Sequence, residues 1–144
     1  MKIVLALTAL LTAISLAAGD RVPGVTYVEH EKVTAALNKG GPLVTAPDLL
    51  VSGSYRDKAG QVEVHDKETD VIYVVDGAAT FVTGGKMVGG KVTKPGQLMG
   101  TDIVGGQTHH LTKGDVIVVP ATTPHWFKEV PHSVSYYVVK VLKQ

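Results

Sequence analysis

The stretch from residue 114 to residue 125, Gly-Asp-Val-Ile-Val-Val-Pro-Ala-Thr-Thr-Pro-His, constrains the fold more than any other part of the chain. Residues 116–119 are all apolar and β-branched, and the run is too short for a helix, so it predicts a buried strand. Gly114-Asp115 precede this strand and Pro120 ends it, as turn residues do. The bend that follows places His125 just beyond the strand. A histidine at the rim of an apolar sheet is a candidate for binding a metal or a small molecule.

The rest of the chain has the sequence pattern of short strands separated by turns. Residues 29–39 are the exception, because acids in the first turn, a lysine in the last and Gly40-Gly41-Pro42 behind it predict one short helix. Asp76-Gly77 predicts a hairpin turn. Residues 86–106 carry many glycines and predict either a long irregular hairpin or a loop. Strands are predicted at 43–46, 49–54, 61–65, 71–75, 78–83, 107–112, 126–129 and 134–142. The chain is therefore expected to form one all-β domain with a short helix in front.

The first residues have the pattern of a secretory signal peptide. Lys2 is followed by an apolar run over residues 3–11 and by small residues up to Ala18. The apolar run is too short for a comfortable transmembrane span. We expect a signal peptide over residues 1–18, a mature domain over 19–144, and a secreted or periplasmic protein without a stable membrane anchor after cleavage. An uncleaved N-terminal anchor is the alternative.

Charge and cysteine content exclude several classes of function. Without Lys2 the chain has 13 basic and 13 acidic residues, a balance that argues against nucleic acid and against a polybasic membrane surface. The absence of cysteine excludes disulfides, a thiol nucleophile and a thiolate metal site. The stability of the domain must come from its core.

Two histidines and two carboxylates form the candidate site. Glu63 and His65 are two residues apart on a predicted strand, so their side chains leave the same face. Asp70 opens the next strand, and His125 arrives from a distant one. Buried charges require a counter-charge or a metal. This residue set suits one divalent metal such as Fe, Mn, Zn, Ni or Cu, and two histidines with one carboxylate leave coordination positions open for catalysis.

The spacing of these residues resembles the two motifs of the cupin superfamily. The first motif is Gly-x5-His-x-His-x3–4-Glu-x6-Gly, and Gly77, Asp70, His65 and Glu63 occupy its last four fixed positions. Aspartate thus replaces the usual glutamate, glutamate replaces the first histidine, and Asp57 stands near the position of the opening glycine.

The second motif, Gly-x5-Pro-x-Gly-x2-His-x3-Asn, is the closer match. Gly114, Pro120 and His125 occupy its positions, with Thr122 at the inner glycine and Glu129 at the final asparagine. The resemblance covers residues 60–130 and implies a double-stranded β-helix, the jelly-roll barrel of cupins, with a metal in the barrel mouth.

The resemblance implies a metal held by His65, Asp70, His125 and Glu63, in a protein that acts on a small organic substrate as an oxygenase- or isomerase-type enzyme. A Glu63 that does not ligate the metal could serve as a catalytic general base. The other class of function is a non-catalytic module that binds a sugar or an organic acid, and the sequence leaves the choice between enzyme and binding module open.

Three further alternatives follow from the residues. The protein could form a homodimer through an edge strand at residues 134–142. Glu63 could pair with Arg56 or Lys58, and Asp70 could be a turn acid. His109 is a weaker candidate for the site than His125, because histidines on strands are commonly surface polar residues.

Overall fold

The computed structural model describes residues 24–143 of the chain. One helix precedes twelve strands, so the short helix and the all-β class predicted from the sequence are confirmed. The elements are α1 (His30–Lys39), β1 (Gly41–Thr45), β2 (Leu49–Arg56), β3 (Val62–His65), β4 (Glu68–Thr83), β5 (Lys86–Val88), β6 (Lys91–Lys94), β7 (Gln97–Gly100), β8 (Asp102–Val104), β9 (Gln107–Thr112), β10 (Val116–Val119), β11 (His125–Glu129) and β12 (Val134–Leu142).

Helix α1 covers one face of β2. It begins after Glu29 and ends at Gly40, whose positive φ of 77° is typical of a helix C-terminus and whose N–H donates to the carbonyl of Ala36. Ala36 is buried against β2 at Gly53, where a Cβ on residue 53 would lie 2.7 Å from the Cβ of Ala36. The absence of a side chain at Gly53 therefore allows this close contact between helix and sheet.

Ten strands form one sheet that curls into the double-stranded β-helix expected from the sequence. Its order is β1-β2-β12-β4-β11-β3-β7-β6, with β9 and β10 also paired to β4, while β5 and β8 form a separate pair. The first half of β4 pairs with β12 and β10, and the second half pairs with β11 and β9. Strand β4 thus passes from one wall of the barrel to the other.

The hairpin predicted at Asp76-Gly77 is wrong, because β4 runs without a break from Glu68 to Thr83. Gly77 has a φ of 81°, and the register with β12 shifts nearby, between Ser135 and Tyr136. The glycine therefore allows a local bend in a long strand rather than a chain reversal. Pairing with strands distant in sequence overrides the local turn signal.

Two further expectations are corrected. Strand β10 is not buried on both faces, since Val116 and Val118 are 59% and 55% exposed while Val119 is buried. Strand β12 is not an edge strand, because it pairs with both β2 and β4, so dimerisation through a free edge of residues 134–142 does not fit this fold. By contrast, the long irregular hairpin predicted as one alternative for residues 86–106 is confirmed, because β5 pairs with β8 and β6 pairs with β7 in the same antiparallel register, with the turn at residues 95–96.

Aromatic packing forms the core beneath the barrel mouth. The ring of Phe127 lies 4.6 Å from that of Phe81 and 4.8 Å from that of Tyr136. The Phe81 ring in turn lies 6.1 Å from the imidazole of His125. The core thus supports the candidate site directly.

Within residues 24–143, no helix is long and apolar enough to cross a membrane. The signal peptide predicted for residues 1–18 lies outside the described residues.

Candidate functional site

The barrel mouth brings together all four predicted site residues. Glu63 and His65 lie on β3, Asp70 lies near the start of β4, and His125 is the first residue of β11. His125 pairs with Glu63 across the two strands. The turn before His125 is tied to β3 by the N–H of Thr122, which donates to the carbonyl of His65 at 2.7 Å.

The polar atoms of the four side chains face one another at short range. His65 Nε2 lies 3.4 Å from Glu63 Oε2 and 3.6 Å from Asp70 Oδ2. His125 Nε2 lies 3.7 Å from the same Asp70 oxygen, and the two imidazole centroids are 5.1 Å apart. The side chains of His65, Asp70 and His125 are 5%, 6% and 8% exposed, whereas Glu63 is 24% exposed. Groups this polar require compensation when they are buried together.

His125 is held in the orientation and tautomer of a ligand. Its Nδ1 lies 3.0 Å from the carbonyl oxygen of Thr123, and because a carbonyl can only accept, Nδ1 carries the proton. The lone pair of Nε2 therefore faces the cluster. Burial lowers the pKa of His125, and this effect outweighs the contact with Thr123 and the charges of Asp70 and Glu63. A neutral imidazole is the form that binds a metal.

Lys140, which the sequence analysis missed, lies inside the cluster. Its Nζ donates to Asp70 Oδ1 at 2.8 Å and to Oδ2 at 3.0 Å, and it lies 3.0 Å from His65 Nε2. A fourth contact, at 2.8 Å, reaches Glu68 Oε2. Burial lowers the pKa of Lys140, but Asp70 and Glu68 outweigh it and the pKa is raised. Lys140 is therefore an ammonium at neutral pH, surrounded by acceptor groups.

Two groups of side chains in the described part of the chain could each hold a metal ion. In the first, one ligand atom from each of Glu63, His65 and His125 lies within 4.8 Å of the others. The second consists of His65, Glu68 and Asp70, but the ammonium of Lys140 already contacts all three. The first group is therefore the better fit for a metal, and Asp70 serves as a counter-charge for Lys140.

Arg56 is a second cation at the site. Like Lys140, it was not predicted from the sequence as a site residue. Its Nη2 lies 4.0 Å from Glu63 Oε1, so the pairing of Glu63 with Arg56 considered from the sequence is present as a long ion pair. Burial raises the pKa of Glu63, but interactions with His65, His125 and Arg56 outweigh it and the pKa is lowered. The carboxylate of Glu63 is therefore ionised, as a metal ligand must be, and its lowered pKa makes it a weaker general base.

A signal for Lys140 was present in the sequence. Tyr136, Val138 and Lys140 share one phase of β12, and Tyr136 is buried, so the single charge on this apolar strand was predictable as an inward-facing group. Its partners belong to β3 and β4, about 70 residues away, and no local pattern identifies them.

His109 lies outside the cluster. It is partly buried on β9, and its Nε2 lies 2.8 Å from the hydroxyl of Thr83.

Comparisons with known proteins agree with this architecture. The family model described as Cupin matches residues 55–142. A search of curated proteins finds no significant match.

Solved structures share the fold at low sequence identity. The BH2720 protein of Bacillus halodurans is 15% identical, with a TM-score of 0.57, and the match covers 88% of this chain and 86% of that one. The Cnp3 cupin domain of Schizosaccharomyces pombe is 11% identical, with a TM-score of 0.53, covering 72% and 59%. A conserved protein of unknown function from Streptococcus pyogenes is 18% identical, with a TM-score of 0.51, covering 72% of each chain. At these identities the likeness concerns the fold alone.

Proposed function

Because this chain belongs to the cupin family, we propose that its barrel mouth binds one divalent first-row transition metal. Glu63, His65 and His125 are the proposed ligands, and Asp70, which Lys140 holds beside them, would be a fourth donor and the second oxygen. The observation that supports this proposal most strongly is the convergence of one carboxylate oxygen and two imidazole nitrogens within 4.8 Å. Two histidines and one carboxylate are a donor set typical of such metals.

Two of the three proposed ligands, His125 and Glu63, are already in the protonation state that binds a metal. The carbonyl of Thr123 keeps the proton of His125 on Nδ1, and the lowered pKa of Glu63 keeps its carboxylate ionised. Neither ligand must lose a proton at neutral pH before it binds.

We propose that the loaded site acts on a small organic substrate, as an oxygenase- or isomerase-type enzyme. A bound metal would supply Lewis-acid or redox chemistry at its open positions. Glu63, Asp70 and His125 also line a cavity of about 170 Å³, which gives a small molecule direct access to the site. In the loaded site Glu63 would be a ligand, so it would serve as a general base only where it does not hold the metal.

Metal titration tests the proposal. Metal-free protein without a His-tag would be offered Fe(II), Mn(II), Zn(II), Ni(II) and Cu(II), and bound metal would be measured by calorimetry and elemental analysis. We expect about one equivalent for the wild type and a large loss of affinity for His125→Ala. His132→Ala removes an exposed histidine and should bind as the wild type does. Metal well below one equivalent in both the wild type and His125→Ala, for every ion offered, would contradict the proposal.

The second candidate is a non-catalytic module that binds a small organic acid or sugar. It is favoured by Lys140, whose ammonium already compensates Asp70 and Glu68 without a metal. A panel of diketones, phenols and organic acids separates the two candidates. A metal-loaded protein that turns over none of them supports the binding module.

We also propose that the protein is exported, on the strength of the signal peptide pattern in residues 1–18. Mass spectrometry of the N-terminus of protein expressed from the full-length sequence would test it. A mature chain that begins near residue 19 is expected, and an intact N-terminus would contradict export by cleavage.

A further inference from the structure

The cavity beside the proposed metal ligands has two chemically different parts. Glu63, Asp70 and His125 line its polar end. Ile72, Phe127 and Val138 contribute apolar surface. A cavity of about 150 Å³ accommodates a benzene molecule, so the roughly 170 Å³ here suits a compound of about single-ring size.

Arg56 also lines this cavity, and its guanidinium is held in place by aromatic groups. Nε donates to the hydroxyl of Tyr136 at 2.9 Å, and the guanidinium carbon lies 4.9 Å above the centre of the Phe127 ring. Gly60 leaves room for it, because a Cβ at that residue would come within 2.8 Å of Nη1. The side chain is 29% exposed. Arg56 is thus pre-organised at the edge of the cavity rather than extended into solvent.

The terminal nitrogens of Arg56 lack a close carboxylate partner. Among residues 24–143, the nearest carboxylate oxygen in an ion pair with this guanidinium is Glu63 Oε1, at 4.0 Å, which is beyond hydrogen-bond distance. A metal bound to Glu63 would compensate the negative charge of that carboxylate. Arg56 would then face the cavity as a cation without a counter-charge.

We propose that the ligand of this cavity is a small carboxylate with an apolar body, whose carboxylate binds the guanidinium of Arg56 while its body packs along Phe127 and Ile72. This inference rests on the proposed function of the cavity as a small-molecule site; the Arg56–Glu63 pair is already long at 4.0 Å, and a metal bound to Glu63 would weaken it further. An arginine fork matches both oxygens of a carboxylate, whereas a neutral group of the same shape offers no charge to it. The inference therefore selects organic acids over sugars and neutral phenols.

The single tryptophan of the chain provides a direct readout. Trp126 lines the cavity, and its Nε1 donates to the carbonyl of Gly60 at 2.8 Å. Benzoate and its neutral isostere benzamide would be titrated into metal-loaded protein while Trp126 fluorescence is followed. We expect benzoate to bind more tightly than benzamide. Arg56→Met should weaken benzoate binding by about 10- to 100-fold, the loss typical of a charge-assisted pair.

The controls separate binding from folding and from general charge. Lys58→Met removes an exposed cation two residues away and should leave the affinity for benzoate unchanged. Circular dichroism establishes whether Arg56→Met folds. If it does not, equal affinity of the wild type for benzoate and benzamide would still contradict the carboxylate site.

Equal affinity for the two probes, no binding of benzoate, or wild-type affinity in folded Arg56→Met would each overturn the carboxylate site. The metal titration of the same wild-type protein shows separately whether the proposed metal site exists. If no metal binds, an Arg56-dependent preference for benzoate in the metal-free protein would still support the carboxylate site.

Discussion

The ammonium of Lys140 lies 2.8 Å from Asp70 Oδ1, in the middle of the cluster proposed to bind a metal. It also contacts His65 Nε2, the nitrogen that a metal would require. A lone pair engaged by an ammonium proton is not free for coordination. Lys140 and a metal therefore compete for His65, and the affinity of the site depends on how readily the lysine gives way.

Lys140→Met should raise the affinity for a divalent metal. The substitution removes a competing positive charge and leaves Asp70 to attract the ion, so we expect a gain of roughly tenfold or more. The metal-free variant should also be less stable by about 2 kcal/mol, because Asp70 and Glu68 lose their partner. Calorimetric titration measures the affinity, and urea unfolding followed by Trp126 fluorescence measures the stability.

Lys67→Met is the matched control for this substitution. Lys67 is an exposed lysine on the turn between β3 and β4, and its removal changes the net charge by the same amount. Equal metal affinities for the two variants would show that general charge is responsible rather than the contact of Lys140 with His65.

The free energy of unfolding of the metal-free protein should fall at both acid and alkaline pH, and both losses should depend on Lys140. Burial alone would raise the pKa of Glu68, but the interactions with Lys140 outweigh it, so the pKa is lowered. The stabilisation that Glu68 contributes is therefore complete above its unfolded pKa of about 4.3 and is lost as pH falls through its native pKa. The pKa of Lys140 is raised, so its contribution is complete below about 10.4 and is lost as pH rises through the native pKa.

Urea unfolding of wild type and Lys140→Met across this pH range measures both losses. The difference in the free energy of unfolding between the two proteins should be largest at intermediate pH and should shrink toward both extremes. A difference independent of pH would mean that the lysine stabilises the fold through packing of its methylene groups.

The site residues predicted from the sequence were identified by local geometry or by motif spacing. The two-residue period of β3 puts Glu63 and His65 side by side, and the spacing that resembles the cupin motifs identified Asp70 and His125. Arg56 and Lys140 reach the site only through the pairing of β12 with β2 and β4. Register between strands so distant in sequence is set by the packing of the whole barrel, which a single sequence does not specify.

The failed hairpin prediction has the same cause. Asp76-Gly77 is a strong local signal for reversal, yet Gly77 pairs with Val134 inside a continuous sheet. What the sequence signalled correctly was a residue with positive φ. Whether that residue reverses a strand or bends it depends on the strands beside it.

Gly77→Ala should destabilise the barrel far more than Gly84→Ala does. Both glycines have positive φ, 81° and 73°, so alanine is strained at either residue by about 1 kcal/mol. A Cβ at residue 77 would also collide with the carbonyl of Ser133, whereas nothing lies within 4 Å of one at residue 84. We expect a total loss of about 3 kcal/mol or more for Gly77→Ala, measured by urea unfolding. Equal losses would show that the β4–β12 contact relaxes without cost.

Thr122→Gly should stabilise the protein. Within residues 24–143, Thr122 is the one non-glycine residue with a positive φ, 68°, and it stands where the second cupin motif has a glycine. A β-branched residue is poorly suited to this conformation, so glycine should raise the free energy of unfolding by about 1 kcal/mol, net of its greater flexibility in the unfolded chain. The N–H of residue 122, which binds the carbonyl of His65, is kept in the variant.

Thr122→Ala separates the possible sources of that gain. Alanine loses the hydroxyl contact with the carbonyl of Ala121 but keeps the Cβ, and with it most of the strain. We therefore expect only the glycine variant to be more stable than the wild type in urea unfolding. Metal affinity should stay unchanged in Thr122→Gly, since the turn still presents His125 opposite Glu63. A glycine variant that is no more stable than the alanine variant would mean that the turn accommodates Thr122 without strain.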